Sequence, residues 1–429
     1  MTRARAILTI LALLGCLLLP AGTAVAATVR PAIPTGTDCL RPPTAESPTG
    51  GGAGYLDPGP ERPVEGDPFD PNSGATLYDV YGYAGFGAHM YDPGCLSVAK
   101  VWDAANDSSN ALAALAAITI ALTVRGVRLV TDGSIGSLWD PLQQEGQRIL
   151  GGGLFVPFLF LGALVTGLYI LSRSRRADIA GESRASGAAA LILLAGFACA
   201  TYSMTVGATI DRGVGESFKA ANTLATQTVD GGQRDPADAV AANLVSSVLY
   251  ESWAARTFGP GPAAAEFGPD LYRASALTRA EQAQIDADPA SATRILDAKQ
   301  ADYKRVAKQV EEKYPQAYQV LAGNDTGHRL QHAILGVASA LAACGYLLLC
   351  LVKMLWGMVV VRIGIGVAPV IAIIAQFPRW QQLALDLLGW VVEALVKAVA
   401  FGFVFAVFLA GGIGTIMDPA LDWHPWVKV

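Results

Sequence analysis

The hydrophobic positions of this chain cluster into long runs without charged residues, separated by polar stretches. Four such runs are Ile149–Ser172, Ala185–Ile210, Leu330–Val352 and Ala398–Met417. Each has about 20 residues or more, and a helix of that length covers the roughly 30 Å hydrocarbon core of a bilayer. A soluble domain does not need repeated segments of this kind. The pattern therefore predicts an all-α, polytopic membrane protein.

Further runs complete the predicted membrane part. Ser108–Val124 is a shorter, alanine-rich candidate span, and 132–148 has the pattern of an interfacial helix. Met354–Phe377 and Leu383–Met417 follow Leu330–Val352 closely. We therefore expect N-terminal membrane helices in 108–210, C-terminal membrane helices in 329–417 and a short tail at 418–429.

The intervening region, 211–328, is polar and its pattern predicts helices. Pro236–Ala255 places apolar residues at helical spacing, and Thr278–Glu281 matches a capping box that opens a helix ended by Pro289. Ala292–Tyr314 is amphipathic with a basic face. Nucleic-acid binding is one interpretation of that face. A solvated surface is the better one, because the region has 12 Lys/Arg against 16 Asp/Glu.

The N-terminus is built like a secretory signal peptide over 1–26. Arg3 and Arg5 precede an apolar run, and Ala24–Ala26 has the small-x-small cleavage pattern. An uncleaved anchor and a lipoprotein-type site at Cys16 are the alternatives. Cleavage would leave the mature N-terminus outside the cytoplasm.

We expect 27–107 to be an irregular, exported segment rich in Pro and Gly. Thr28–Cys95 contains 11 of the 24 prolines, a composition typical of loops. Cys39 and Cys95 are the two cysteines of this segment. They form a candidate disulfide, which would stabilise the fold by about 4 kcal/mol on the loop-entropy model, or they are two free thiols.

Two topology signals conflict. The loop between Ser172 and Ala185 carries four arginines, which favours the cytoplasm: Arg173, Arg175, Arg176 and Arg184. Simple alternation after a cleaved signal peptide puts the same loop outside. The signals agree only if one early segment, such as Ser108–Val124 or the stretch before Gly151, does not cross.

The chemistry of known enzymes is not recognisable in this chain. No P-loop, HExxH or GxSxG motif occurs, so we expect a protein that is not an enzyme and has no cofactor. The net charge is only −5, so no overall basic field attracts nucleic acid. His328 and His332 have a spacing that can bind a metal, but no third ligand is evident. Interfacial histidines are the simpler interpretation.

Ionisable residues interrupt the C-terminal apolar block: Lys353, Arg362, Asp386, Glu393 and Lys397. A charge at membrane depth costs at least about 2–3 kcal/mol, so it needs a partner or a water-filled cavity. One hypothesis is interhelical ion pairs of Arg362 with Asp386 or Glu393. The others are a polar lining of a translocation path and snorkelling to the interface.

A break in the helix is expected near these charges. Gly364 and Gly366 permit close helix approach, and Pro369 removes a backbone hydrogen bond. A kinked or broken helix near the middle of the membrane is the result we predict.

The chain resembles the actinobacterial TrbL-like proteins, which are polytopic inner-membrane components of conjugative type IV secretion systems. The likeness lies in Tyr81–Gly85 with Tyr91–Cys95, in Phe267–Tyr272 with Ala274 and Ala276–Thr278, and in Val359–Pro369. The resemblance implies an inner-membrane channel or platform that helps DNA or protein across the membrane. It also implies an oligomer, other secretion-system membrane subunits as partners and separate ATPases.

The resemblance implies no catalytic residue. In the family pattern a further helix and a basic tail follow the Met417–Pro419 region, which this chain, ending at Val429, does not match. The alternative hypothesis is a secondary transporter whose membrane charges couple ions to transport. The absence of an evident inverted repeat argues against it.

Overall fold

The computed structural model describes residues 41–60, 64–70, 72–93, 104–132, 205–220, 235–375 and 380–408, and single positions between 141 and 202. These residues are mostly helical and contain no β-strand, which confirms the all-α prediction for this part of the chain. Ahead of residue 235 lie α1 (Gly51–Leu56), α2 (Leu77–Tyr81), α3 (Ala104–Thr131) and α4 (205–220).

The polar region is a series of helices, as its pattern predicts. They are α5 (Pro236–Leu244), a π-helical turn (Val245–Tyr250), α6 (Glu251–Phe258), α7 (Ala263–Ser275), α8 (Arg279–Ala287), α9 (Ser291–Lys313) and α10 (Pro315–Leu321). The capping box at Thr278 and Glu281 is present, and α8 ends before Pro289. In α9, Tyr303, Val306 and Val310 are buried on one stripe.

The Pro/Gly-rich residues 41–93 pack onto this polar region. Outside α1 and α2 they are irregular, as expected, yet Tyr78, Tyr83 and Phe86 are buried in the same core as Trp253 and Tyr272. An isolated parallel bridge joins Glu46 to Ala276. We call the unit formed by 41–93 and 235–322, which packs around α3, the head.

Residues 41–93 pack against a partner that lies about 200 residues away in the sequence. Tyr272 shows how the two parts interlock. Its hydroxyl donates to the carbonyl of Ala84 at 2.7 Å, and its ring packs edge-on against Tyr81. Aromatic pairs of this kind each contribute about 0.5–1.5 kcal/mol beyond the area they bury.

Two long helices complete the described fold, α11 (Thr326–Ile374) and α12 (Gln381–Val407). The prediction of separate helices at Leu330–Val352 and Met354–Phe377 was wrong, because α11 runs through Lys353 without interruption. Lysine is a good helix former, and the exposed side chain of Lys353 does not disturb the packed face.

The helix is not broken at Gly364, Gly366 and Pro369, since α11 continues to Ile374 with Pro369 inside it, and a kink at these residues stays a prediction. Proline removes one backbone hydrogen bond, and packing against α12 offsets that local loss. Gly364 does permit close approach: a methyl group there would lie 2.5 Å from a side-chain carbon of Val391. At Gly366 a methyl group would meet no atom of the described residues within 4 Å.

Three described helical stretches are long and apolar enough to span a membrane: Asn106–Thr131, Thr326–Ile374 and Gln382–Val407. Several predictions fall outside the described residues. They concern the signal peptide at 1–26, Cys39 and Cys95, the tail at 418–429, most of Ile149–Ser172 and Ala185–Ile210, and the arginine-rich loop between these two runs.

Candidate functional site

A buried ion pair lies between α4 and α11. The Nε atom of Arg362 donates to Oδ2 of Asp211 at 2.9 Å, and Nη2 donates to the same oxygen. The side chains are only 5% and 6% exposed. Charge-assisted hydrogen bonds of this type are about twice as strong as neutral ones. The pair therefore ties α4 firmly to α11.

This pairing corrects the prediction that Arg362 pairs with Asp386 or Glu393. Asp211 was placed at the start of the polar region, but α4 continues through 205–220 and carries Asp211 along its buried side. One feature of the sequence could have indicated that the helix continues through Asp211. Asp211 directly follows the apolar run Ala185–Ile210 with no helix-breaking residue between them, so a continued helix would have been the simplest assignment.

Gly207 provides the space for the guanidinium group. A methyl group at this position would overlap the Nη1 and Cζ atoms of Arg362. Gly207 precedes Asp211 by one helical turn, so the backbone at 207 and the carboxylate at 211 together frame the guanidinium group. Sequence reasoning did not identify Gly207, because nothing local distinguishes it from other glycines.

The other membrane-block charges lie at the surface of the chain. Glu393 and Lys397 form an i,i+4 ion pair, with side chains 59% and 62% exposed. Lys353 and Asp386 are also exposed. Of the five predicted charges, only Arg362 is thus buried, and the other four do not line a path between the described helices.

The buried pair has the geometry of a structural lock, by which we mean an ion pair that holds α4 and α11 together. Removing one member of a buried ion pair typically costs 3–5 kcal/mol, because the remaining charge is left in a low-dielectric site. Among the three hypotheses for these charges, an interhelical ion pair therefore describes Arg362 best. Glu393 and Lys397 have each other as partners on one helix.

A second polar cluster joins the C-terminal end of α3 to the head. Arg128 contacts Asp238 at 2.5 Å and Asp57 at 3.3 Å, and the hydroxyl groups of Tyr78 and Tyr83 donate to Asp57. Burial raises the pKa of Asp238 to about 6 despite Arg128, since Asp235 and Asp57 add like charge nearby. Burial and the negative charge of Asp57 also raise the pKa of Tyr78 and Tyr83.

Two buried arginines join the N-terminal end of α3 to the head. Arg329 donates to the carbonyl groups of Ala88, Val320 and Leu321 and to the side chain of Asn106 at 2.7–3.0 Å. Arg256 donates to the carbonyl of Phe86 at 2.6 Å. Burial and the neighbouring Arg329 lower the pKa of Arg256 to about 10. These contacts fix 86–88, α3, α6 and the start of α11 together.

Neither the histidine pair nor the basic face of α9 forms a further site within the described residues. The rings of His328 and His332 lie 4.2 Å apart, and the described residues contain no cluster of three potential metal ligands. On the basic face of α9, several cations bind acidic groups: Lys299 with Glu281, Arg305 with Asp302, Lys308 with Glu312 and Lys313 with Glu266. This favours a solvated face over a nucleic-acid surface.

Comparison with models of protein families, with curated proteins and with solved structures finds no match to this chain. The site is therefore interpreted from its own geometry.

Proposed function

We propose that the chain is a non-enzymatic component of a type IV secretion or conjugative transfer apparatus. It acts as a multi-pass platform or channel element of the inner membrane and aids the passage of DNA or protein. The separate ATPases of the apparatus supply the energy, and the chain works as an oligomer with the other membrane subunits.

The observation that carries this proposal is the continuity of α11. The helix begins at Thr326, where Arg329 is locked into the head, and reaches Arg362, where the pair with Asp211 holds α4. Head and apolar helices thus form one connected unit. Such a unit suits a scaffold that holds its position while other subunits move the substrate. The family resemblance of the sequence supports the same role.

Deletion in a donor strain tests the proposal. A clean in-frame deletion should abolish conjugative transfer, and the wild-type gene in trans should restore it, with donor growth unchanged. Transfer at the wild-type frequency in the deletion strain would overturn the proposal. A secondary transporter would instead show a growth or uptake defect for its solute, with transfer intact.

A further inference from the structure

The helix α3 has the length and apolarity of a membrane span, yet the head covers one of its faces from end to end. Near its N-terminus, the side-chain oxygen of Asn110 accepts from the backbone N–H of Ala88 at 2.9 Å, and Asn106 binds Arg329. Near its C-terminus, Arg125 donates to the carbonyl of Leu56 at 3.1 Å. Arg128 binds Asp57 and Asp238 in the same region.

The middle of α3 is covered as well. Ala117, Ile120, Ala121 and Val124 are buried in the core shared with 41–93, the polar region and α11. At Gly52 of α1, an added methyl group would lie 3.0 Å from Ile118. The face of α3 toward the head is thus in contact with protein over its whole length.

This packing is incompatible with a transmembrane α3. Asn106 and Arg128 are about 33 Å apart along a helix axis, which is as long as the hydrocarbon core is thick. If α3 crossed the bilayer, irregular backbone from 41–93 and the charges of Asp57 and Asp238 would lie at membrane depth. Irregular backbone does not occur facing lipid there, because its polar groups would be unsatisfied.

The neighbouring helices indicate where the head ends. Along α4, Gly207 lies beside Arg362, whereas Gly215 lies close to the carbonyl of Val130 at the end of α3. Phe218 packs against Phe405 of α12, with ring centroids 5.2 Å apart. Going from 207 to 215, α4 therefore leads away from the buried ion pair and toward the head.

From these contacts we infer that α3 does not cross the membrane and is the central helix of a head built from two separated chain segments on one side. The two apolar runs between α3 and the polar region then cross as a pair. Their arginine-rich loop is cytoplasmic and the head is extracytoplasmic. The signal-peptide pattern and the positive-inside rule then agree.

Single-cysteine labelling tests this topology. Asp107→Cys and Asp132→Cys mark the two ends of α3, Asp286→Cys marks the polar region and Ser174→Cys marks the arginine-rich loop. A membrane-impermeant maleimide is applied to cells or spheroplasts with an intact inner membrane, and labelling is scored above that of the wild-type chain. We expect the first three to label and Ser174→Cys to label only after permeabilisation.

Three results would overturn the inference. They are labelling of the two ends of α3 from opposite sides, labelling of Asp286→Cys from a different side than Asp107→Cys, and protection of all three until permeabilisation. A reporter fusion after Gly231 gives a second readout that needs no folded cysteine variant. Alkaline phosphatase should be active there, and activity of a cytoplasmic green fluorescent reporter alone would overturn the extracytoplasmic assignment.

Discussion

At the residue scale, the buried pair depends on a glycine as much as on its two charges. Gly207→Ala would push a methyl group into the guanidinium group of Arg362. We expect this overpacking to cost about 1–3 kcal/mol, seen as a lower unfolding temperature of the purified protein in detergent. Gly213→Ala is the matched control on the same helix, because its methyl group would meet no described atom within 4 Å. Equal unfolding temperatures of the two variants would contradict the packing at Gly207.

Asp238 should make the stability of the head depend on pH. Its pKa in the folded chain is about 6, above the ordinary value of 3.8, so the folded state binds the proton more tightly than the unfolded state. The stability that this group contributes at low pH is therefore lost as the pH rises from about 4 to about 6. Asp238→Asn cannot ionise. Its unfolding temperature relative to wild type should rise between pH 4 and pH 7, and a constant difference would refute the assignment.

At the element scale, the sequence could predict features that depend on neighbouring residues, but not features that depend on residues far away in the chain. The start of α8 was predictable from Thr278 and Glu281, since a capping box involves residues three apart. The partner of Arg362 was not, because Asp211 lies 151 residues away and the choice among several acidic residues depends on how helices pack. The burial of Tyr78 and Tyr83 was missed for the same reason.

The contact between α11 and α12 depends on small residues. A methyl group at Gly357 would lie 2.7 Å from Cβ of Ala398 and 2.8 Å from the carbonyl oxygen of Ala394. Because a backbone oxygen cannot turn aside, Gly357→Ala should separate the two helices and reduce the monodisperse fraction in size-exclusion chromatography. Gly366→Ala, nine residues further along α11, should behave like the wild type. A normal profile for Gly357→Ala would argue against this helix contact.

At the scale of the whole molecule, α11 is longer than a bilayer requires. Its 49 residues extend over about 73 Å, more than twice the roughly 30 Å of a hydrocarbon core. Its first part packs with α3 and the head, and the part around Arg362 packs with α4 and α12. A displacement of the head would therefore be transmitted along one continuous helix to the buried pair, as expected for a connecting scaffold.

The central claim is that the Arg362–Asp211 pair locks the membrane part of a transfer component. Protein level in the membrane and conjugation frequency, measured together, test it most directly in donors carrying Arg362→Ala, Asp211→Asn or the paired neutralisation Arg362→Met with Asp211→Leu. The control is Glu393→Gln, which changes an exposed ion pair.

Each single change strands a buried charge, so we predict a lower level and lower transfer, and the paired change should restore much of both. Glu393→Gln should accumulate like the wild type. Wild-type level and wild-type transfer in both single variants would contradict the claim. Normal accumulation with failed transfer would contradict the lock and assign the two residues to a translocation path.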